Sequence, residues 1–236
     1  MRYAIGLDIG VTNVKAAGVS PAGEVLFRQT FETHAESPDW PARVKARVLE
    51  FEESRGAAAE WLGVAAPGVA RADGSAIRWM RGRLAEVQGL DWGKYLNRRR
   101  VPVVNDAQAA LLAEVWQGAG RGMSNAILLT LGTGVGGAAM VDGRLLRGHL
   151  GRAGHLGHIC LDIDGEKDIA NTPGSLETMI GNYTIATRSD GAFKTTHEVV
   201  KAYGAMIRRP SACGRPRLRR SHAASSRSPT CLIRNW

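Results

Sequence analysis

Two glycine-rich turns, each set between two apolar, β-prone runs, constrain this chain more than any other feature. The first, Asp8-Ile9-Gly10-Val11-Thr12-Asn13, joins residues 3–7 to residues 14–19. The second, Leu131-Gly132-Thr133-Gly134-Val135-Gly136-Gly137, joins residues 126–131 to 138–141. Runs of this kind around a short glycine turn predict β-hairpins. Glycine lets backbone N–H groups come close to a phosphate, and a neighbouring Thr hydroxyl adds a side-chain donor. Between the two turns in sequence lies Asn105-Asp106, opening a run with helical spacing at Ala109, Leu112, Ala113 and Trp116. Two phosphate-binding hairpins flanking an acidic residue predict a clamp for a nucleotide polyphosphate with a base between its jaws.

The rest of the chain reads as α/β. Strands are expected at residues 3–7, 14–19 and 24–31, and a helix over residues 40–54, where Val44, Val48 and Phe51 fall on one face after the start signal Ser37-Pro38-Asp39. Short buried strands are expected at 61–65, ahead of Pro67-Gly68, and at 101–104, ahead of a helix over 106–117. Residues 118–122, rich in glycine, form a hinge candidate. The recurrence of strand, glycine turn and strand predicts two related halves facing across a cleft, divided as residues 1–117 and 118–206. Residues 207–236 break character: Pro210, Pro216 and Pro229 punctuate a Ser/Arg-rich run with neither helical nor strand period. This irregular basic tail follows the start of an amphipathic helix at 196–206, as a shift of reading frame would produce.

Composition narrows the partners. The net charge of +9 invites a nucleic-acid reading, but residues 207–236 hold eight arginines and no acidic residue. Without them the body carries 23 basic residues against 22 acidic ones, so no specific nucleic-acid partner is expected from it. No apolar run approaches the ~18 residues of a membrane span. Cys160, Cys213 and Cys231 are too few and too scattered for a disulfide framework. A cytoplasmic protein acting on small molecules is the expectation.

The motifs together resemble the ROK family of sugar kinases and related repressors, within the actin/hexokinase-like superfamily. The resemblance runs from about Arg2 to Met206. It rests on the first hairpin through Lys15, on Ala66-Pro67-Gly68, on Val103-Val104-Asn105-Asp106-Ala107, on the second hairpin, and on the stretch from Gly151 to His158. It implies a two-domain, ribonuclease H-like α/β fold, here with the second domain incomplete, because the family continues past the position of Met206. It also implies ATP-dependent phosphorylation of a hexose, glucose by default, in a cleft that closes to exclude water. Asp106 then matches the base that accepts the proton of the attacking hydroxyl, as a carboxylate can when alignment matters more than basicity. Asn105, His155, His158 and Glu177 match sugar-contact positions. Gly10, Thr12, Gly132, Thr133 and Gly134 match phosphate contacts, and Asp8 matches a contact to Mg²⁺ through water. The resemblance allows a homodimer. Helix capping is the simpler reading of Asn105-Asp106, and the two roles are compatible.

Two departures qualify the resemblance. The family's sugar loop is Gly-Glu-x-Gly-His; here, in Gly154-His155-Leu156-Gly157-His158, His155 stands where the glutamate belongs. His158 matches a histidine that in most members also ligates zinc, beside a Cys-x-Cys-Gly-x-x-Gly-Cys-x-Glu run. The corresponding stretch, residues 164–177, holds no cysteine, so no closed zinc site is expected. Polyphosphate remains an alternative donor, since the hairpins recognise phosphate. An inactive remnant of a ROK kinase is the main alternative function. A sugar-sensing regulator is a weaker one, because such proteins carry a helix-turn-helix before the first hairpin, and here strand begins at residue 3.

Overall fold

The computed structural model describes residues 2–80, 84–208 and 231–235, with backbone alone for 205–208 and 231–235. Two compact units divide the chain, one of Met1–Leu112 with Arg147–Arg152, the other of Ala113–Leu146 with Ala153–Trp236.

The first unit is built on a five-stranded sheet. Strands β1 (Ala4–Ile9), β2 (Asn13–Val19) and β3 (Val25–Glu32) form an antiparallel meander. Then β4 (Trp61–Ala66) lies parallel to β1, and β7 (Val103–Asn105) parallel to β4, for an order β3-β2-β1-β4-β7. A separate antiparallel pair, β5 (Val69–Ala70) and β6 (Ile77–Trp79), lies between β4 and β7 in sequence. Helix α1 (Trp40–Arg55) begins with Pro41 in its first turn, where the missing N–H is harmless, and ends at Gly56 in the left-handed region (φ 64°). Its Val44, Val48 and Phe51 join Ile5, Leu7, Ile9, Leu62 and Val64 in one buried cluster.

Strand alternation sets the two faces. Ile5, Leu7 and Ile9 are buried, while Gly6 is exposed and Asp8 half-buried, on the other face. Trp61 breaks the expectation of a wholly buried strand: it is 62% exposed, because β4 alternates in the same way. The short helix α2 (Trp92–Tyr95) carries Trp92 into the core beside Trp40, ring centroids 6.0 Å apart. Glu52 of α1, 7% exposed, accepts from the Ala59 N–H at 2.8 Å and pairs with Arg98 at 2.5 Å. That pair ties α1 to the approach into β4 and to the segment after α2.

Helix α3 (Asp106–Gln117) follows β7 and leads into the second unit. There β8 (Ala126–Leu131), β9 (Val135–Val141) and β10 (Arg144–Leu145) form an antiparallel sheet. Residues 147–152, which the sequence alone groups with the second half, belong to the first unit; Arg147 donates to the Ala72 carbonyl at 3.1 Å. Helices α4 (Leu176–Ile180), α5 (Asn182–Arg188) and α6 (Thr196–Arg208) complete the second unit. One element departs from the expected irregular tail. Cys231–Asn235 forms β11, antiparallel to β8, where Cys231-Leu232-Ile233 offers an apolar run to a free strand edge. The rest of the tail, residues 209–230, lies outside the described residues, as does Trp236.

Candidate active site

In the first unit the glycine turn between β1 and β2 is closed by Gly10 N–H donating to the Asn13 carbonyl at 3.0 Å. It is held from one side by Thr33, a residue that sequence reasoning missed. The Thr33 hydroxyl donates to the Gly10 carbonyl at 2.6 Å, and its N–H donates to the Thr12 carbonyl at 2.9 Å. Thr33 is 2% exposed. Because a trans peptide points its C=O and the following N–H in opposite directions, tying the Gly10 and Thr12 carbonyls to Thr33 turns the Val11 and Asn13 N–H groups away from it.

Asn105 ends β7 and Asp106 opens α3. Asn105 is buried: its Nδ2 donates to the Gly68 carbonyl at 3.0 Å and its Oδ1 accepts from the Ala107 N–H at 2.9 Å. It therefore caps the helix and anchors the Pro67-Gly68 turn at once. Asp106 is exposed and also accepts from the Ala107 N–H, at 2.8 Å. Asp8 sits on the open face of β1, paired across the strands with Lys15, whose Nζ lies 3.7 Å from Oδ2. Lys15 carries no role in the sequence reading; the register of β1 on β2 makes it the partner of Asp8. Burial pushes the Asp8 carboxyl above its ordinary range, Lys15 pulls it back, and the charge of Asp106 pushes it up again, for a net rise. Asp8 thus offers a half-buried carboxylate, the kind of oxygen donor a hard cation prefers, within the field of Asp106.

In the second unit the turn between β8 and β9 is held from behind by α5. Asn182 N–H donates to the Gly132 carbonyl at 2.9 Å, and Tyr183 N–H to the Thr133 carbonyl at 3.1 Å. By the same peptide geometry the N–H groups of Thr133 and Gly134 face away from α5, two donors side by side, which is the arrangement of an anion-binding nest. Glu177 closes the turn's far end: its Oε2 accepts from the Val135 N–H at 3.0 Å, and a side chain at Gly134 would collide with that carboxylate. Glu177 is 8% exposed. The structure thus brings Glu177 to the second hairpin, a link that no local pattern in the sequence announces.

The loop with His155 and His158 lies directly on β9. A Cβ at Gly157 would overlap the Val135 carbonyl, and one at Gly137 would come within 2.6 Å of the Gly154 carbonyl. Glycine at these places permits backbone-on-backbone packing. His155 precedes a single 3₁₀ turn, Leu156–His158, and is half-buried. His158 Nδ1 lies 2.8 Å from Asp168 Oδ2. Burial pushes the Asp168 carboxyl up, but hydrogen bonds from His158, the Thr172 N–H, Ser175 and the Ala170 N–H outweigh it and leave the group below its ordinary value.

His158, Asp168 and Glu177 place ligand atoms within 4.8 Å of one another, which invites comparison with the zinc implied by the sequence resemblance. The fit fails. Two donors of one tetrahedral zinc, each ~2.0–2.1 Å from the ion, stand about 3.3 Å apart; the 2.8 Å between His158 and Asp168 is a hydrogen bond. The set offers three donors and no thiolate, and Cys160 is an exposed free cysteine.

A β3-β2-β1-β4-β7 mixed sheet followed by a second glycine hairpin defines the actin/hexokinase-like class of α/β folds. Residues 4–204 match the ROK family. A glucokinase from Thermotoga maritima is 31% identical over 202 residues, 82% of this chain and 62% of that protein. The ROK hexokinase from Thermus thermophilus superposes with a TM-score of 0.71 at 27% identity, covering 86% of this chain and 69% of that one. A ROK family glucokinase from Streptomyces griseus, solved in complex with glucose and AMPPNP, gives a TM-score of 0.64 at 26% identity, covering 87% and 64%. This chain belongs to the ROK family. It spans 62%, 58% and 52% of the length of three glucokinases that it matches.

Proposed function

We propose that the protein phosphorylates a hexose hydroxyl at the expense of ATP, glucose being the first substrate to test. The observation that carries this reading is the Asp106 carboxylate. It stands exposed at the first residue of α3, directly after a buried parallel strand, with its charge felt at Asp8. The sugar oxygen attacks the γ-phosphorus, the bond from that phosphorus to the β–γ bridging oxygen breaks, ADP leaves, and the hydroxyl proton passes to Asp106. Asn105, rigid between Gly68 and Ala107, contacts a sugar hydroxyl, as do His155, His158 and Glu177. Phosphate oxygens are bound at Gly10 and Thr12 in the first unit and at Gly132, Thr133 and Gly134 in the second. Magnesium, held by Asp8 through water, would neutralise phosphate charge. The glucokinases among its relatives support the substrate class.

A second reading is sugar binding without turnover. Magnesium-dependent ADP release across a panel of hexoses, with Asp106→Asn as control, separates the two. Sugar-dependent release that the control loses supports the kinase. Sugar binding by calorimetry with no release supports the second reading and overturns the first.

A further inference from the structure

The loop between His158 and Glu177 is closed by a buried carboxylate. Asp168 Oδ1 accepts from the Ala170 N–H at 2.8 Å and the Thr172 N–H at 2.9 Å. Its Oδ2 meets His158 Nδ1 at 2.8 Å, with the Asp168 side chain 0% exposed and that of His158 29% exposed. The Asp168 N–H in turn donates to the Thr172 carbonyl at 3.0 Å, so residues 168–172 wrap around their own carboxylate. Ser175, wholly buried, helps hold the carboxyl below its ordinary value.

An ionised carboxylate only accepts hydrogen bonds. The nitrogen opposite Oδ2 must therefore carry a hydrogen, and in a neutral imidazole that leaves Nε2 with a lone pair. We propose that Asp168 is a positioning residue: it closes this loop without a metal and locks His158 as the Nδ1–H tautomer, so that Nε2 accepts a hydrogen bond from a substrate hydroxyl. The hydroxyl's identity as a sugar's rests on the kinase reading; the lock itself does not. The consequence for specificity is that the ligand must donate at this point. A sugar whose corresponding position is methylated or deoxygenated loses the contact.

The test begins with the unaltered chain. Long-range ¹⁵N–¹H spectra of histidine-labelled protein, with the His158 signals assigned by their loss in His158→Gln, should show Nδ1 protonated and Nε2 bare. The opposite pattern overturns the proposal. Zinc content should be far below one per chain, and a chelator should leave the melting temperature unmoved. Stoichiometric zinc whose removal lowers melting would overturn it equally. In Asp168→Asn the amide must set its NH₂ either against two backbone N–H groups or against His158, so the His158 signals should move toward the Nε2–H form. Sugar KM should rise on the order of tenfold, the scale of losing a carboxylate that orients a histidine, with the KM for ATP unchanged. Unmoved signals and KM in a folded variant would sink the idea. Should that variant not fold, the unaltered chain's spectrum and metal content still decide. Should the unaltered chain release no ADP, the kinase reading fails while the tautomer measurement judges the lock separately.

Discussion

Single residues carry the chemistry, and two carboxylates make opposite predictions. Asp106→Asn should lower kcat by about 10²–10⁴-fold, the usual worth of a general base, with sugar affinity by calorimetry largely kept; unchanged turnover would remove Asp106 from the mechanism. Asp8→Asn should instead melt higher than the parent at pH 7 without magnesium. The folded state holds the Asp8 carboxyl above its unfolded value, so the folded chain keeps its proton to higher pH. The ionised group therefore works against folding above the folded value, and that penalty disappears below the unfolded one. The advantage of the variant should shrink as pH falls through the carboxylate range, and a pH-independent difference would contradict this account. The places of Asp106 at a helix start and of Asp8 near a strand end were legible in sequence because each sits next to a turn or strand end with a local signature. Asp168, Thr33 and the bond from Val135 to Glu177 were not. Each depends on a partner brought in by folding, 42 positions away for Glu177 and Val135 and 23 for Thr33 and Gly10.

At the scale of elements, the long periodic runs were readable and the short ones were not. Helix α3 occupies 106–117 as its spacing predicts, and β1 and β8 end where the glycine turns require. The helices α2, α4 and α5, of four, five and seven residues, are too short for a period to show. Tertiary bonds set them, such as those from Asn182 and Tyr183 to the second hairpin. Glu177 was expected at a sugar subsite from its motif, whereas its carboxylate is committed to the hairpin as well. The supports of the two turns are open to test. Thr33→Val keeps the shape but removes the donor to the Gly10 carbonyl, and should cost about 1 kcal/mol in urea unfolding while raising the KM for ATP. Glu52→Gln, which weakens the tie from α1 to Arg98 and Ala59, should cost about 2 kcal/mol and leave nucleotide affinity alone. A larger effect on nucleotide than on stability would misassign it.

For the whole molecule, the two units have unequal sheets. The first sheet is mixed, with helix α1 against the face that bears Ile5, Leu7 and Ile9. Its other face forms a groove of about 560 Å³ floored by small residues, with Asp8 and Lys15 on the floor and Leu112 along one side. Register places Gly6 directly between Ala17 and Gly63 there. Nothing lies within 4 Å of a Cβ built on Gly6, and a Cβ on Gly63 would meet only the Pro102 carbonyl, at 4.0 Å. A glycine inside a strand costs roughly 0.5–1 kcal/mol relative to alanine, and no contact among the described residues of this face offsets it. In a library randomised at these two positions and sorted for protease resistance, alanine and serine should displace the native residues. The groove floor is therefore a place where the chain has room to become sturdier, and where its present residues are not accounted for by the contacts of its own fold.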